Sequence, residues 1–290
     1  MGGGEVKKYD VAIVGAGPAG VFAAYELAEK KPGLSIVVLE SGNDIYHRCC
    51  PIAAGKVKSC IGCKPCSIMR GFGGAGAFSD GKYNFTTQFG GWLGEYISSA
   101  EVMRLIEYVD AINMRHGAPA KVFSTKGSRI GKLALEHDLH LLEASVRHLG
   151  TENNLKMLEK TYEYMKDRVE FRFHEPVRNI LSDGEGENAL ELESGERIAA
   201  EYLVVAPGRS GAEWFSEECR RLRVEQKNNQ VDVGVRVEVP DEIFDHITSE
   251  VYEAKLVYRT KRYGDSVRTF CMNPHGHVVM ENTGGIMAVN

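Results

Sequence analysis

Gly15-Ala16-Gly17-Pro18-Ala19-Gly20 has the G-x-G-x-x-G spacing of a dinucleotide-binding turn, and Glu40 follows 20 positions after the last glycine. That chemistry needs these residue types. Gly15 makes the tight turn, Gly17 lets the backbone approach a pyrophosphate, and Gly20 lets a helix pack closely on its strand. Pro18 and Ala19 open that helix, whose first amides and positive dipole end suit phosphate oxygens. Glu40, with Ser41 beside it, would end the next strand, where a carboxylate accepts hydrogen bonds from both ribose hydroxyls and repels a 2′-phosphate. The bland alternative is a glycine-rich turn with no nucleotide. The fingerprint by itself does not separate NAD from FAD.

Two further clusters could do chemistry. Cys60-Ile61-Gly62-Cys63-Lys64-Pro65-Cys66 is C-x2-C-x2-C, with Cys50 upstream as a fourth thiolate. Short loops of this kind can turn their sulfurs toward one zinc ion or iron–sulfur cluster. The same spacing suits a dithiol redox pair or plain structural cysteines, and the Cys-Pro that closes a ferredoxin run is missing. From Arg70 to Lys82 the chain holds five glycines in thirteen residues. Small residues at that density let a backbone lie against a flat ring or a pyrophosphate, although a flexible loop with a solvated Lys82 has the same composition. His140 and His148 lie eight residues apart on a predicted helix. They are either a surface pair or, for His148, a proton-transfer group near neutral pH. Pro274-His275-Gly276-His277 is a candidate substrate loop on similar grounds.

These residues need elements to hold them. Lys8–Val14 reads as a strand, 18–31 as a helix with apolar residues at helical spacing, and Leu34–Glu40 as a strand buried on both faces. The opening is therefore a βαβ unit. Residues 41–94 lack periodicity and read as a long functional loop. Three helices are predicted at about 95–116, 130–149 and 155–166. Strands return at 168–173, 175–181 and 189–192, the last two joined by a Gly184-Glu185-Gly186 turn, and lead into a buried strand, Tyr202–Ala206. Val231–Val239 alternates strictly and predicts a half-buried strand of a new sheet.

Tyr202–Gly211 is similar to the strand-then-Ala-x-Gly signature of flavoproteins of the glutathione-reductase-like superfamily, here Ala206-Pro207-Gly208. Glu175–Ile180 resembles the strand whose valine, here Val177, reaches the adenine through its backbone. Over nearly the whole chain, a wider set of segments resembles a largely uncharacterised family of that superfamily, the NAD(FAD)-utilising, FAD-dependent dehydrogenases. The segments are Tyr9–Gly20, Cys50-Pro51, Cys60–Cys66, Gly73–Lys82, Arg147–Thr151 and Ala206–Gly211. The resemblance implies FAD as cofactor, with Gly73, Gly74, Ala75, Gly76 and Ala77 lining its flavin side. It also places Ser79, Asp80 and Lys82 near the reacting face, with Arg147 and His148 facing flavin or substrate.

The composition fits that expectation. The chain has 290 residues, and its net charge of −5 argues against nucleic acid or a polybasic membrane patch. No run of about 18 apolar residues predicts a membrane span, and seven cysteines without a leader suggest a cytoplasmic setting. The expected fold is α/β: a Rossmann-like FAD-binding domain with a parallel sheet, a helical insertion, a small antiparallel sheet and the start of a β-rich substrate domain. The expected segments are 1–50 for the first βαβ part and 51–167 for the cofactor loop and helical insertion. Residues 168–215 return to the FAD domain, and 216–290 form a substrate or cap domain, short enough to suggest an incomplete one. The expected activity is hydride exchange between flavin N5 and a small organic substrate, with an external electron carrier as a further partner. The rivals are a non-catalytic or truncated FAD- or NAD-binding module and an NAD-using, thiazole-synthase-like enzyme with the same opening unit.

Overall fold

The computed structural model describes residues 7–182, 188–276, 278, 280–283 and 286–289. The Gly184-Glu185-Gly186 turn and His277 lie outside the described residues. In chain order the elements begin with β1 (Lys7–Val14), α1 (Pro18–Lys30), β2 (Ile36–Glu40), β3 (Lys82–Phe85), α2 (Ser99–Arg115), β4 (Phe123–Ser124), α3 (Arg129–Glu136), β5 (Leu139–Leu141) and β6 (Ser145–His148). They continue with α4 (Thr151–Met165), β7 (Glu170–Phe173), β8 (Val177–Ser182), β9 (Asn188–Leu192), β10 (Arg197–Val205), α5 (Ala212–Arg221), α6 (Asp241–Thr248), β11 (Leu256–Arg259), β12 (Ser266–Arg268), β13 (Met280–Thr283) and β14 (Ile286–Val289). There are two compact units. The first draws on Met1–Gly81 and Gly150–Asn229, the second on Lys82–Leu149 and Gln230–Asn290.

The first unit is a mixed α/β fold built on a six-stranded sheet in the order β7-β2-β1-β10-β9-β8. The first four strands run parallel, and β9 and β8 add an antiparallel wing. β2 reads Ile-Val-Val-Leu-Glu and is buried at every position, as a parallel strand covered on both faces must be. α1 starts with Pro18, whose missing N–H would have no partner in a first turn anyway. It turns Gly20, Val21, Ala24 and Tyr25 inward. α4 buries Asn154, Met157, Thr161 and Met165 at the spacing of one helix face, and Tyr25 stacks on Tyr164 at 5.5 Å. Tyr9, Val14, Val37, Leu39, Leu190, Leu192 and Ile198 fill the core on the sheet; full burial of a Val- or Leu-sized side chain contributes about 1.5–3 kcal/mol. β10 forms where the sequence predicts it, but Tyr202 is exposed and 203–205 are half-buried.

The second unit holds two three-stranded antiparallel sheets, β12-β11-β5 and β3-β6-β4, and the β13–β14 hairpin. α2 begins at Ser99 rather than 95, because Ser98 caps it by accepting the Glu101 N–H. Ser128 caps α3 in the same way through the Ile130 N–H. Ile130 and Ala134 then pack on Leu141, Val251 and Ala254.

Two predicted elements are corrected here. The single helix over 130–149 is instead α3 followed by β5 and β6. Asp138 takes a left-handed backbone with φ 58°, which ends the helical run, and β5 and β6 pair with β11 and β3, distant in sequence. Short apolar runs fit either period, so pairing decides. Val231–Val239 forms no strand among the described residues. Val231, Val233 and Val235 are 82%, 94% and 89% exposed. Polar positions of the segment are tied to residues well downstream: Asp232 to Arg268 at 3.7 Å, Arg236 to the Cys271 carbonyl, and Glu238 to the Val278 N–H. Alternation is necessary for a half-buried strand, but the ladder needs a neighbour.

Candidate functional site

In the first unit the glycine pattern lies at the carboxyl ends of β1, β2 and β10. Gly15 has φ 96°, and its N–H donates to the Leu39 carbonyl at 2.8 Å. A side chain on it would strike the Ala206 carbonyl. Ala206 in turn donates to the Val14 carbonyl at 2.8 Å, so the Ala206-Pro207-Gly208 turn lies directly against the fingerprint. Gly20 packs on the Gly15 carbonyl, leaving no room for a Cβ. Gly17 differs. Its φ is −71°, and a Cβ there would meet only the Gly74 α-carbon, at 4.0 Å. It caps α1 without a side chain, and no acidic residue stands in the helix's first turn. The amides of Ala19 and Gly20 therefore face no competing carboxylate from their own turn.

The second glycine segment folds onto the first. Residues Gly74–Phe78 form a 3-10 turn, the Gly73 N–H donates to the Ala16 carbonyl at 2.8 Å, and Gly74 approaches Gly17 and Pro18. Asn154 on α4 holds this turn through the Gly76 and Ala77 carbonyls. Sequence reading missed Asn154, although a buried asparagine on an apolar helix face is the available signal. The Glu40 carboxylate is 6% exposed and fastens the loops together. Oε2 accepts from Ala16 N–H at 2.8 Å; Oε1 accepts from Gly42 and Gly71 N–H at 2.8 and 3.0 Å and from the Ser41 hydroxyl at 3.3 Å. Glu175 N–H donates to the Glu40 carbonyl at 3.0 Å and His174 N–H to that of Gly42, which anchors the chain two residues before Val177. The Val177 side chain packs on the core.

Arg48 is the other residue that sequence reading missed. Its guanidinium donates to the carbonyls of Ser67, Ile68, Phe72 and Gly74, clasping the cysteine loop to the glycine segment. Burial pulls its pKa down to about 10, against the opposing charge of Glu40. The expected convergence of Cys50, Cys60, Cys63 and Cys66 does not occur. All seven cysteines are free thiols, and among the described residues no three His, Cys, Asp or Glu side chains gather as ligands. Arg48 bonds the carbonyls of Ser67 and Ile68, which directly follow the loop, and Cys60 is left exposed. This arrangement lends no support to the expected zinc ion or iron–sulfur cluster.

Of the predicted polar residues, Ser79 and Asp80 belong to the first unit. Ser79 is exposed and turns back on its own segment, donating to the Gly76 carbonyl at 2.8 Å and accepting from Gly81 N–H at 3.2 Å. The Asp80 carbonyl accepts the Gly150 N–H at 2.9 Å. Lys82 and His148 belong to the second unit, where β3 and β6 set them directly opposite each other. Two motifs far apart in sequence thus meet on one strand pair. Lys82 Nζ donates to the Met272 carbonyl at 2.7 Å and pairs with Glu253 at 3.2 Å. Tyr252, unforeseen from sequence, reaches His148. His140 is exposed on β5, opposite Val257.

On the same sheet Arg147 makes a buried bidentate pair with Asp110, at 2.7 and 2.8 Å, and also bonds the Pro119 carbonyl. Tyr83 lies near it; burial, followed by the Asp110 charge, raises its pKa to about 12. A cavity of about 470 Å³ opens beside this pair, lined among others by Phe85, Phe89, Leu105, Ile106 and Val109.

The model of the Thi4 family matches residues 4–44, the opening βαβ unit. No curated protein matches the chain. Among solved structures, a glycine oxidase from Geobacillus kaustophilus is 18% identical at a TM-score of 0.43, covering 75% of this chain and 59% of that one. An L-amino acid deaminase from Proteus myxofaciens is 17% identical at 0.40, covering 72% and 47%. A cyclohexanone monooxygenase from Rhodococcus sp. Phi1 bound to NADP+ is 17% identical at 0.35, covering 70% and 26%. The chain thus spans between 26% and 59% of the lengths of these structures. No helix among the described residues is long and apolar enough to cross a membrane.

Proposed function

We propose that the first unit binds FAD and that the protein is an FAD-dependent oxidoreductase acting on a small organic substrate. One observation carries this reading. Three bare backbone segments, Gly15–Gly20, Gly71–Gly76 and Ala206–Gly208, meet at the carboxyl ends of adjacent parallel strands, with a buried Glu40 between them. Ligands of open α/β sheets bind at such strand ends.

The residues present suit the cofactor. Gly17 and the amides of Ala19 and Gly20 would take the pyrophosphate. Glu40 Oε2, with one hydrogen bond from Ala16, keeps acceptor capacity for a ribose hydroxyl. The Val177 backbone would meet the adenine, and Gly73–Ala77 with Ala206–Gly208 would leave a flat surface for the ring system. When bound, FAD supplies hydride exchange at flavin N5. The protein's share is to position the ring system, to exclude water and to move a proton. Electrons would pass to or from a diffusing carrier.

The test is the absorption spectrum of the purified protein and of Gly17→Val and Glu40→Arg. Wild type is expected to be yellow, to bleach with dithionite and to release FAD on denaturation, and the variants to lose flavin. Unchanged flavin occupancy in both variants would refute the reading. The Thi4-family match supports a second reading on the same turn, an NAD-using, thiazole-synthase-like enzyme, which would purify colourless. A yellow protein that bleaches with dithionite but accepts no electrons from any nicotinamide or organic donor would instead be a binding module.

A further inference from the structure

The second unit holds a hydrogen-bonded aromatic pair that the cofactor reading does not use. The Tyr252 hydroxyl lies 3.0 Å from His148 Nε2, and the two rings sit 4.3 Å apart, inclined by 30°. Phe123 lies against Tyr252 at 5.7 Å, and Lys82 Nζ stands 5.4 Å from the centre of the Tyr252 ring. Lys82 is itself fixed by the Met272 carbonyl and by Glu253, whose other oxygen takes Lys255. The side chains of Lys82, Glu253 and Lys255 are 10%, 3% and 5% exposed, so water screens this cation weakly.

Two assignments of the shared proton are open to such a pair. Either the phenol donates to a bare Nε2, which leaves the imidazole proton on Nδ1, or Nε2–H donates to the phenol oxygen. A cation over a phenol ring withdraws electron density, making the hydroxyl a better donor and a poorer acceptor. The partner of one ring nitrogen sets which nitrogen carries the proton. We infer that Tyr252 is a positioning residue, held as donor by Lys82, that keeps His148 in the Nδ1–H tautomer. Nδ1–H is then the proton donor that the imidazole offers, and Tyr252 can return a proton through Nε2. The assignment concerns the protein with or without a cofactor and stands independently of the FAD reading.

Long-range proton–nitrogen spectra of the full chain, labelled with ¹⁵N-histidine and assigned through His148→Gln, test it directly. In wild type above neutral pH the protonated nitrogen of His148 is expected to be Nδ1. In Tyr252→Phe the tautomer ratio is expected to shift toward Nε2–H by about fivefold, the worth of one net hydrogen bond. Lys82→Met, which leaves the phenol in place, is expected to shift it the same way by a smaller factor. An Nε2–H signal in wild type overturns the proposal, as does an unchanged ratio in a folded Tyr252→Phe. Should that variant not fold, the wild-type and Lys82→Met spectra decide by the same criteria.

Discussion

Gly17 and Gly20 stand three residues apart in one motif, yet the structure gives them separable tasks. A methyl group on Gly20 would overlap the Gly15 carbonyl oxygen, lie 3.1 Å from its carbon and press on Ile13 Cγ2 at 3.4 Å. Two of those three atoms are backbone, so relief requires α1 to move off β1; overpacking of this kind costs about 1–3 kcal/mol or more. On Gly17 the same methyl group meets only the Gly74 α-carbon at 4.0 Å, and φ −71° suits any residue. The poorer helix cap and the stiffer unfolded chain then nearly cancel, leaving a net change within about 0.5 kcal/mol. Urea unfolding of the flavin-free protein should find Gly20→Ala strongly destabilised and Gly17→Ala close to wild type. Flavin titration should find Gly17→Val folded but without flavin, because the isopropyl group stands where the pyrophosphate would approach. Wild-type stability in Gly20→Ala would sink the packing argument, and wild-type flavin affinity in Gly17→Val the binding argument.

Arg48→Met removes the donor that holds four carbonyls; limited proteolysis should then cut within 49–70 well before it cuts wild type, and equal rates would deny Arg48 that role. Asp110→Ala strands the Arg147 guanidinium in a buried site and should cost about 3–5 kcal/mol in urea unfolding; a loss below 1 kcal/mol, roughly the ceiling for surface pairs, would contradict the burial argument. Glu218 is held below its usual range: burial opposes this, but the hydrogen bonds from Arg221 and from Ile180 N–H at 2.6 Å prevail. A depressed carboxylate contributes stability that is complete above its unfolded value of 4.5 and is lost as pH falls through the lower folded value. Glu218→Gln should therefore flatten part of the acid limb of the stability curve, which chemical unfolding between neutral and acidic pH will show.

Much of the first unit was legible locally. The Gly15–Gly20 turn and β2 as a fully buried strand follow from short-range rules: glycine where the backbone must come close, unbroken apolar runs where both faces are covered; the Ala206–Gly208 turn was expected from the resemblance to flavoproteins. The Ala206 turn meets the fingerprint through the Ala206–Val14 hydrogen bond. Glu40 was placed correctly at the end of its strand, but its bonds to Ala16, Gly42 and Gly71 involve amides that look alike in any sequence. Arg48 escaped for a related reason: a guanidinium bound to carbonyls has no residue-type signature in its partners.

Sequence by itself determined where the chain can turn tightly, which strands are buried on both faces and which residue types could take part in chemistry, because those depend on each residue and its near neighbours. Tertiary structure decided the pairings. It broke the run at 130–149 into α3, β5 and β6, left Val231–Val239 without a ladder and left the cysteines unconverged. It also set Lys82 opposite His148 and brought up Tyr252 from a hundred residues away. Apolar spacing is compatible with several neighbours, and only the folded backbone chooses which neighbour supplies the hydrogen bonds.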